Sequence, residues 1–236
     1  MEKMRTHLIL DHLKRRKRCT FAELMRKFGV SSATIHRDVD ELARRDAVTK
    51  IRGGLVFNEG ERVSPAPSAY QERVVANRTA KIAAARKALS RITDGDIVFL
   101  DSSTTVYELA MLLRERRLTH LTIVTNSLAI MQNFRKFPTD CVLIGLGGNY
   151  DPQLNSILGE AAIRQLAQLN VTKAFFSAFG LDDRNATTNH ERQAELIRRV
   201  MDAAEKSYLI ADRSKLKRTG LYRIAPRNTF TEIFLA

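Results

Sequence analysis

The sequence predicts an α/β chain in two parts, a small helical N-terminal unit closed by a β-hairpin and a larger, mostly parallel α/β unit behind it. Three observations carry this. Near-continuous apolar runs rich in β-branched and aromatic residues recur at 97–101, 121–125, 141–145, 174–180 and 208–212, with helical patterns between them. Strands buried on both faces of a parallel sheet read this way, and parallel neighbours need crossover helices. Residues 1–57 instead hold short helical patterns, then two short strand runs around Arg52-Gly53-Gly54. Between the two parts, 58–68 (NEGERVSPAPS) has no apolar periodicity, and Gly60, Pro65 and Pro67 break helices and ladders. The expected division is therefore 1–57, a linker over 58–74 stiffened by its prolines, and 75–236.

The 236 residues include 39 Lys and Arg against 26 Asp and Glu, a formal net charge of +13. A surplus of that size calls for a polyanionic partner, either nucleic acid or an anionic membrane surface. The membrane reading fails. No apolar run approaches the roughly 20 residues that span a bilayer, and Met1-Glu2-Lys3-Met4-Arg5 opens no secretory segment. Hydrophobic residues make up 44%, enough for a sizeable core. Cys19 and Cys141 fall in different predicted units, which argues against a disulfide and for a reducing, cytoplasmic setting. His7, His12, His36, His120 and His190 show no spacing with Cys or carboxylates that suits a metal, so no metal and no cofactor are expected.

In the N-terminal unit, Leu8, Ile9, Leu10 and Leu13 give residues 5–14 an apolar helical face. Thr20-Phe21-Ala22-Glu23 spells a capping box, in which hydroxyl and carboxylate satisfy free N–H groups reciprocally. Leu24, Met25 and Phe28 turn inward from the helix that follows. Gly29 closes that helix, because a residue without Cβ takes the left-handed conformation freely. Val30 fills the turn, and Ser31 caps a third helix. At about 100° per residue, Ile35, Val39 and Leu42 of that helix share one side, with Ala33, Arg37, Asp40 and Arg44 opposite and His36 on the flank.

This helix, tight turn and helix form a helix-turn-helix candidate, whose third helix meets base edges with its N-terminal residues. Ser31, Ser32, Ala33, Thr34, His36 and Arg37 are therefore set nearest a DNA groove. Arg37 leads, because a guanidinium binds guanine bidentately. Asp40 has the wrong charge for DNA and is expected to pair with a neighbouring Arg. Lys50, Arg52 and Gly53 stand at the hairpin tip, a wing suited to phosphates or the minor groove. An amphipathic helix with a few arginines is usually just a solvated face. The coincidence of box, turn, polar face and basic hairpin lifts this one above that.

In the larger unit, ligand chemistry is expected at the C-terminal ends of the strands. Ser102, Ser103, Thr104 and Thr105 open a helix there, and free N–H groups, hydroxyls and the positive helix end suit an anion such as phosphate. Asp101 would repel that anion and is assigned to sugar hydroxyls. Thr125 and Asn126 close the second strand in the same way, Gly147 and Gly148 leave room for backbone to approach a ligand, and Lys215 supplies a counter-charge. Singly, each has a plainer reading: a helix cap worth about 1 kcal/mol, a turn, a solvated lysine. Their convergence on strand ends is the argument.

The segment VSSATIHRDVDEL followed by KIRGG resembles the DeoR family of bacterial regulators. The likeness runs on in order through LDSSTT (100–105), TNS (125–127), GGNY (147–150), FFSAFGLD (175–182) and ADRSK (211–215). It implies a winged helix-turn-helix followed by a mostly parallel α/β domain resembling ribose-5-phosphate isomerase. It further implies a cytoplasmic homo-oligomer, dimer or tetramer, usually a repressor of sugar genes. Its partners would be a double-stranded DNA operator and a phosphorylated sugar effector, with no membrane involved. Three positions depart from the pattern. His36 stands where the family commonly has Arg, Ser103 replaces a usual Gly, and the chain stops at Phe234-Leu235-Ala236, which implies that a last strand is missing.

Two other readings compete with a sugar-responsive regulator. An aldose–ketose isomerase needs a carboxylate to move a proton, and Ser177-Ala178-Phe179-Gly180, the counterpart of that enzyme's Asp-Gly-Ala-Asp stretch, has none. A ligand-blind DNA-binding protein, its second unit reduced to a dimeriser, is the other reading; Ser103 and the early chain end keep it open.

Overall fold

The computed structural model describes residues 2–44, 47–58 and 69–236, in two compact units that divide after Pro67. The first comprises α1 (Glu2–Arg16), β1 (Arg18–Thr20), α2 (Phe21–Phe28), α3 (Ser32–Arg44), β2 (Val48–Ile51) and β3 (Gly54–Phe57). The capping box forms as its residues dictate, with Glu23 N–H donating to Thr20 Oγ1 at 3.2 Å and Thr20 N–H to Glu23 Oε2 at 2.7 Å. Gly29 takes the left-handed conformation (φ 61°) that ends α2, and Thr34 N–H donates to Ser31 Oγ at 3.3 Å.

The expected hairpin gains a third strand, giving the antiparallel order β1-β3-β2. Three residues are too few to show alternation, so β1 was not legible by pattern. Its pairing does explain Gly54. A Cβ there would lie 2.4 Å from the carbonyl of Cys19, so β1 and β3 close only around glycine. Ile9, Leu13, Leu24, Ile35, Val39, Leu42 and Leu55 fill the core between helices and sheet.

The second unit runs α4 (Ala69–Val75), α5 (Arg78–Leu89), β4 (Ile97–Leu100), α6 (Thr104–Leu113), β5 (Thr122–Thr125), α7 (Leu128–Asn133), β6 (Val142–Gly145), β7 (Asn149–Asp151), β8 (Ser156–Leu158), α8 (Glu160–Leu166), β9 (Val171–Phe176), β10 (Gly180–Leu181), β11 (Asn185–Thr188), α9 (Glu191–Ala203), β12 (Ala204–Ala211), β13 (Tyr222–Pro226) and β14 (Glu232–Leu235). Six strands make one parallel sheet in the order β14-β12-β9-β4-β5-β6. Alternate residues of β4 face opposite cores: Val98 and Leu100 pack with α5 and α6, Phe99 with α8 and α9. β7 and β8 form a separate hairpin, and β10, β11 and β13 a small antiparallel sheet.

The sheet holds one strand beyond the five apolar runs, β14 at its edge. Glu232–Leu235 pairs parallel with β12, held by an Arg91–Glu232 ion pair (2.8 Å), by Lys87 donating to the Leu235 carbonyl (2.6 Å), and by Phe234 against Tyr208, which in turn stacks on Phe175 at 4.9 Å. The linker is also shorter at its C-terminal end than its composition suggested. Residues 69–74 are helical in α4, with Tyr70 buried in the second unit, while most of the expected linker lies outside the described residues.

Candidate functional site

Burial along α3 follows its apolar period. Ile35, Asp38, Val39 and Leu42 are buried, while Ser31, Ser32, Ala33, His36 and Arg37 are exposed and Thr34 is half-buried. The His36 ring lies 4.3 Å from that of Phe21, so α2 orients it. Asp38 is fully buried and paired with Arg5 of α1. Sequence reasoning missed this, although position 38 shares a face with Ile35 and Leu42.

At the hairpin, Arg52 and Gly53 are exposed at the tip. Lys50 is not free there: its ammonium pairs with Asp40 of α3 and holds that carboxyl below the usual carboxylate range. The expected Arg partner for Asp40 is corrected accordingly. Arg44 lies one turn on, and its Nε donates to the backbone carbonyl of Asp40 at 3.3 Å. The first unit thus presents the polar N-terminal face of α3 and a basic hairpin tip.

In the second unit the sheet reverses direction between β4 and β9, since β5 and β6 extend to one side and β9, β12 and β14 to the other. In such sheets the crevice beyond the C-terminal strand ends at the reversal is where ligands sit. A cleft of about 730 Å³, open solvent included, lies there. The segments following β4 (Ser102 to Thr105), β9 (Ser177, Ala178, Phe179) and β12 (Asp212, Lys215) line it. So do Arg73, Asn77 and Lys81 from the α4–α5 elbow, Thr188 at the end of β11, and His190 and Gln193 beyond it. The first-turn N–H groups of α6 have no intrahelical acceptors. Three cations face one carboxylate, and desolvation by burial holds Lys81, Lys215 and Arg73 below their usual ranges. A dianion would balance that surplus.

Of the residues predicted for a ligand, Ser102, Ser103, Thr104, Thr105 and Lys215 meet in the cleft. Ser103 has φ −71°, a conformation any residue adopts, and its hydroxyl caps α6 by accepting from Val106 N–H at 3.2 Å. Serine in place of glycine therefore strains nothing.

The other five lie elsewhere. Asp101 is buried beneath the cleft, where its oxygens accept from Ser103 N–H (2.9 Å) and Ser177 N–H (3.1 Å), fastening the two loops together instead of meeting ligand hydroxyls. Burial pushes its carboxyl up to about 6. Thr125 Oγ1 donates to the Leu100 carbonyl at 2.6 Å, tying β5 to β4, and Asn126 Nδ2 donates to Ser156 Oγ at 2.8 Å, anchoring β8 from inside. Gly147 N–H donates to Gln165 Oε1 at 2.8 Å, and with Gly148 it leads into that hairpin.

The residues missed are Arg73, Asn77, Lys81, Ser177, Thr188, His190, Gln193 and Asp212. Lys81 carried a signal, because it stands on the buried stripe with Ala84, Ala85 and Ala88.

Residues 5–61 match the DeoR-like helix-turn-helix domain, and residues 76–235 match the DeoR C terminal sensor domain. The chain belongs to the DeoR family. It is thus a DNA-binding transcriptional regulator with a sensor domain. Among relatives, the HTH-type transcriptional regulator IolR of Bacillus subtilis (strain 168) is 32% identical over 86% of this chain and 79% of its own. The L-fucose operon activator of Haemophilus influenzae is 30% identical over 98% of this chain and 90% of its own. The lactose phosphotransferase system repressor of Lactococcus lactis subsp. lactis is 28% identical over 92% and 84%. Among solved structures, ribose 5-phosphate isomerase A of Methanocaldococcus jannaschii shares 19% identity at a TM-score of 0.43. The likeness covers 60% of this DeoR-family chain and 55% of the isomerase chain, just over half its length. No helix among the described residues is long and apolar enough to cross a membrane.

Proposed function

We propose that this regulator represses sugar-metabolism genes in the cytoplasm, as a homo-oligomer whose grip on operator DNA weakens when a phosphorylated sugar fills the cleft of the second unit. The observation that carries the effector reading is the meeting of Ser102 to Thr105 with Lys81 and Lys215 at the strand reversal, hydroxyls and helix N–H groups opposite cations. Sugar operons in the names of relatives support the same class of ligand. Ser31, Ser32, Ala33, Thr34, His36 and Arg37 would approach base edges, with Arg52 and Gly53 on the backbone. Lys50 would act only when Asp40 releases it.

A catalytic role is not proposed, since the family to which the chain belongs is one of transcriptional regulators. The test is binding to the DNA upstream of the protein's own gene, titrated with salt and then with sugar phosphates. Tight, salt-dependent binding that one sugar phosphate selectively weakens is the expected result. Specific binding that none of them shifts would instead leave a regulator without an effector.

A further inference from the structure

The helix α4 is both a wall of the cleft and the element at which the chain enters the second unit from the linker. At seven residues it is far below the roughly 12 to 15 that hold a helix in isolation. Its order therefore rests on tertiary contacts. Tyr70 alone of its residues is buried. Ala69 N–H donates to Gln153 Oε1 at 3.1 Å, and Arg73 Nη2 donates to the Gln153 carbonyl at 3.4 Å. Lys81, on the next helix, donates to the carbonyl of Arg73. The elbow between the helices turns at Asn77, a left-handed residue (φ 53°) whose side chain donates to Ser214 Oγ at 3.1 Å.

Lys81 is only 4% exposed, yet an ammonium carries three donors and the Arg73 carbonyl takes one. Its remaining donors and the guanidinium of Arg73 border the same cleft. They are like charges sharing a desolvated site, with the Asp212 carboxylate beside them.

We infer that α4 is the strap that carries effector occupancy to the DNA-reading unit. An anion seated between Lys81 and Arg73 removes their repulsion, fixes α4 against the second unit, and so fixes the point from which the linker departs. Gln153 and Tyr70 are positioning residues for this step, because they hold the strap without lining the cleft. The inference rests on the effector reading above.

The test uses the full chain, with ribose 5-phosphate, fructose 6-phosphate and glucose 6-phosphate as probes and inorganic phosphate alongside. The operator dissociation constant is measured with and without saturating probe, and probe affinity is measured by calorimetry. In Tyr70→Ala the with-to-without ratio is expected to fall to within twofold of one. In Gln153→Ala, a change at an exposed side chain, it is expected to fall at least threefold while probe affinity stays within threefold of wild type. Amide hydrogen exchange over 69–76 in the wild type is expected to slow at least tenfold on probe binding.

If Gln153→Ala keeps the wild-type ratio, or exchange over 69–76 does not respond, the strap is overturned while the effector reading stands. If the wild type binds none of the sugar phosphates, the effector reading itself is overturned and the strap with it. A response to inorganic phosphate as strong as to any sugar phosphate would show that the anion alone moves the strap.

Discussion

Arg5 of α1 and Asp38 of α3 form an ion pair whose carboxylate is fully buried while the guanidinium is still partly in contact with solvent. The two partners are therefore unequal in what their removal leaves behind. Arg5→Met strands a buried charge and should cost about 3–5 kcal/mol. Asp38→Asn leaves an arginine that water still reaches and should cost about 1–2 kcal/mol. Urea unfolding of both variants, followed by circular dichroism, checks the order; equal costs would contradict it.

Arg37 and Arg52 should fail in different ways. Arg37→Ala is expected to weaken operator binding by about 1–3 kcal/mol and to relax preference at one base pair. Arg52→Ala should weaken all sequences alike and reduce the salt slope by about one. Anisotropy titrations on matched and scrambled DNA separate the two. If Arg37→Ala lowered affinity without touching preference, α3 would not be reading bases through it.

Asp40 restrains a cation of the hairpin. The pair is exposed on both sides, so solvent screening leaves it little weight in stability. Asp40→Asn should leave folding almost unchanged, tighten DNA binding several-fold at low salt, and steepen the salt slope by about one. Unaltered binding would mean that Lys50 stays clear of phosphate even when released.

Asp101 gives the second unit a pH signature. Its folded pKa, about 6, lies above the unfolded value near 4, so the native state holds the proton more tightly. The associated stability is fully present below about pH 4 and is lost as pH rises through 6. The stability of the wild type relative to Asp101→Asn should therefore drop by about 2 kcal/mol between pH 4 and 7. Equilibrium unfolding across that range measures it. A difference flat with pH would mean that the two backbone N–H groups on the carboxylate outweigh its burial.

The parts legible in sequence share one property: their signal is local. Thr20 and Glu23 form their box within one turn, Gly29 ends its helix alone, and the core strands are runs of adjacent apolar residues. The parallel sheet and the helix-turn-helix could therefore be read directly. The short strand β1, the α4 helix and half the cleft could not, because each exists only through distant pairing. Asn77, His190 and Asp212 are far apart in the chain and meet only where the sheet reverses. Asp101 shows the opposite failure. A carboxylate at a strand end looks like a ligand group, and only the structure reveals that Ser103 and Ser177 already occupy it.

The place of β14 in the sheet also bears on how the chain is made. Every other strand of the sheet leaves the ribosome before Glu232–Leu235 does. Until that segment arrives, β12 is an open edge with Tyr208 lacking its outer aromatic neighbour. An unpaired edge of that kind is a template for pairing with other chains. The nascent protein is thus most open to pairing with other chains in the interval between the emergence of β12 and that of β14.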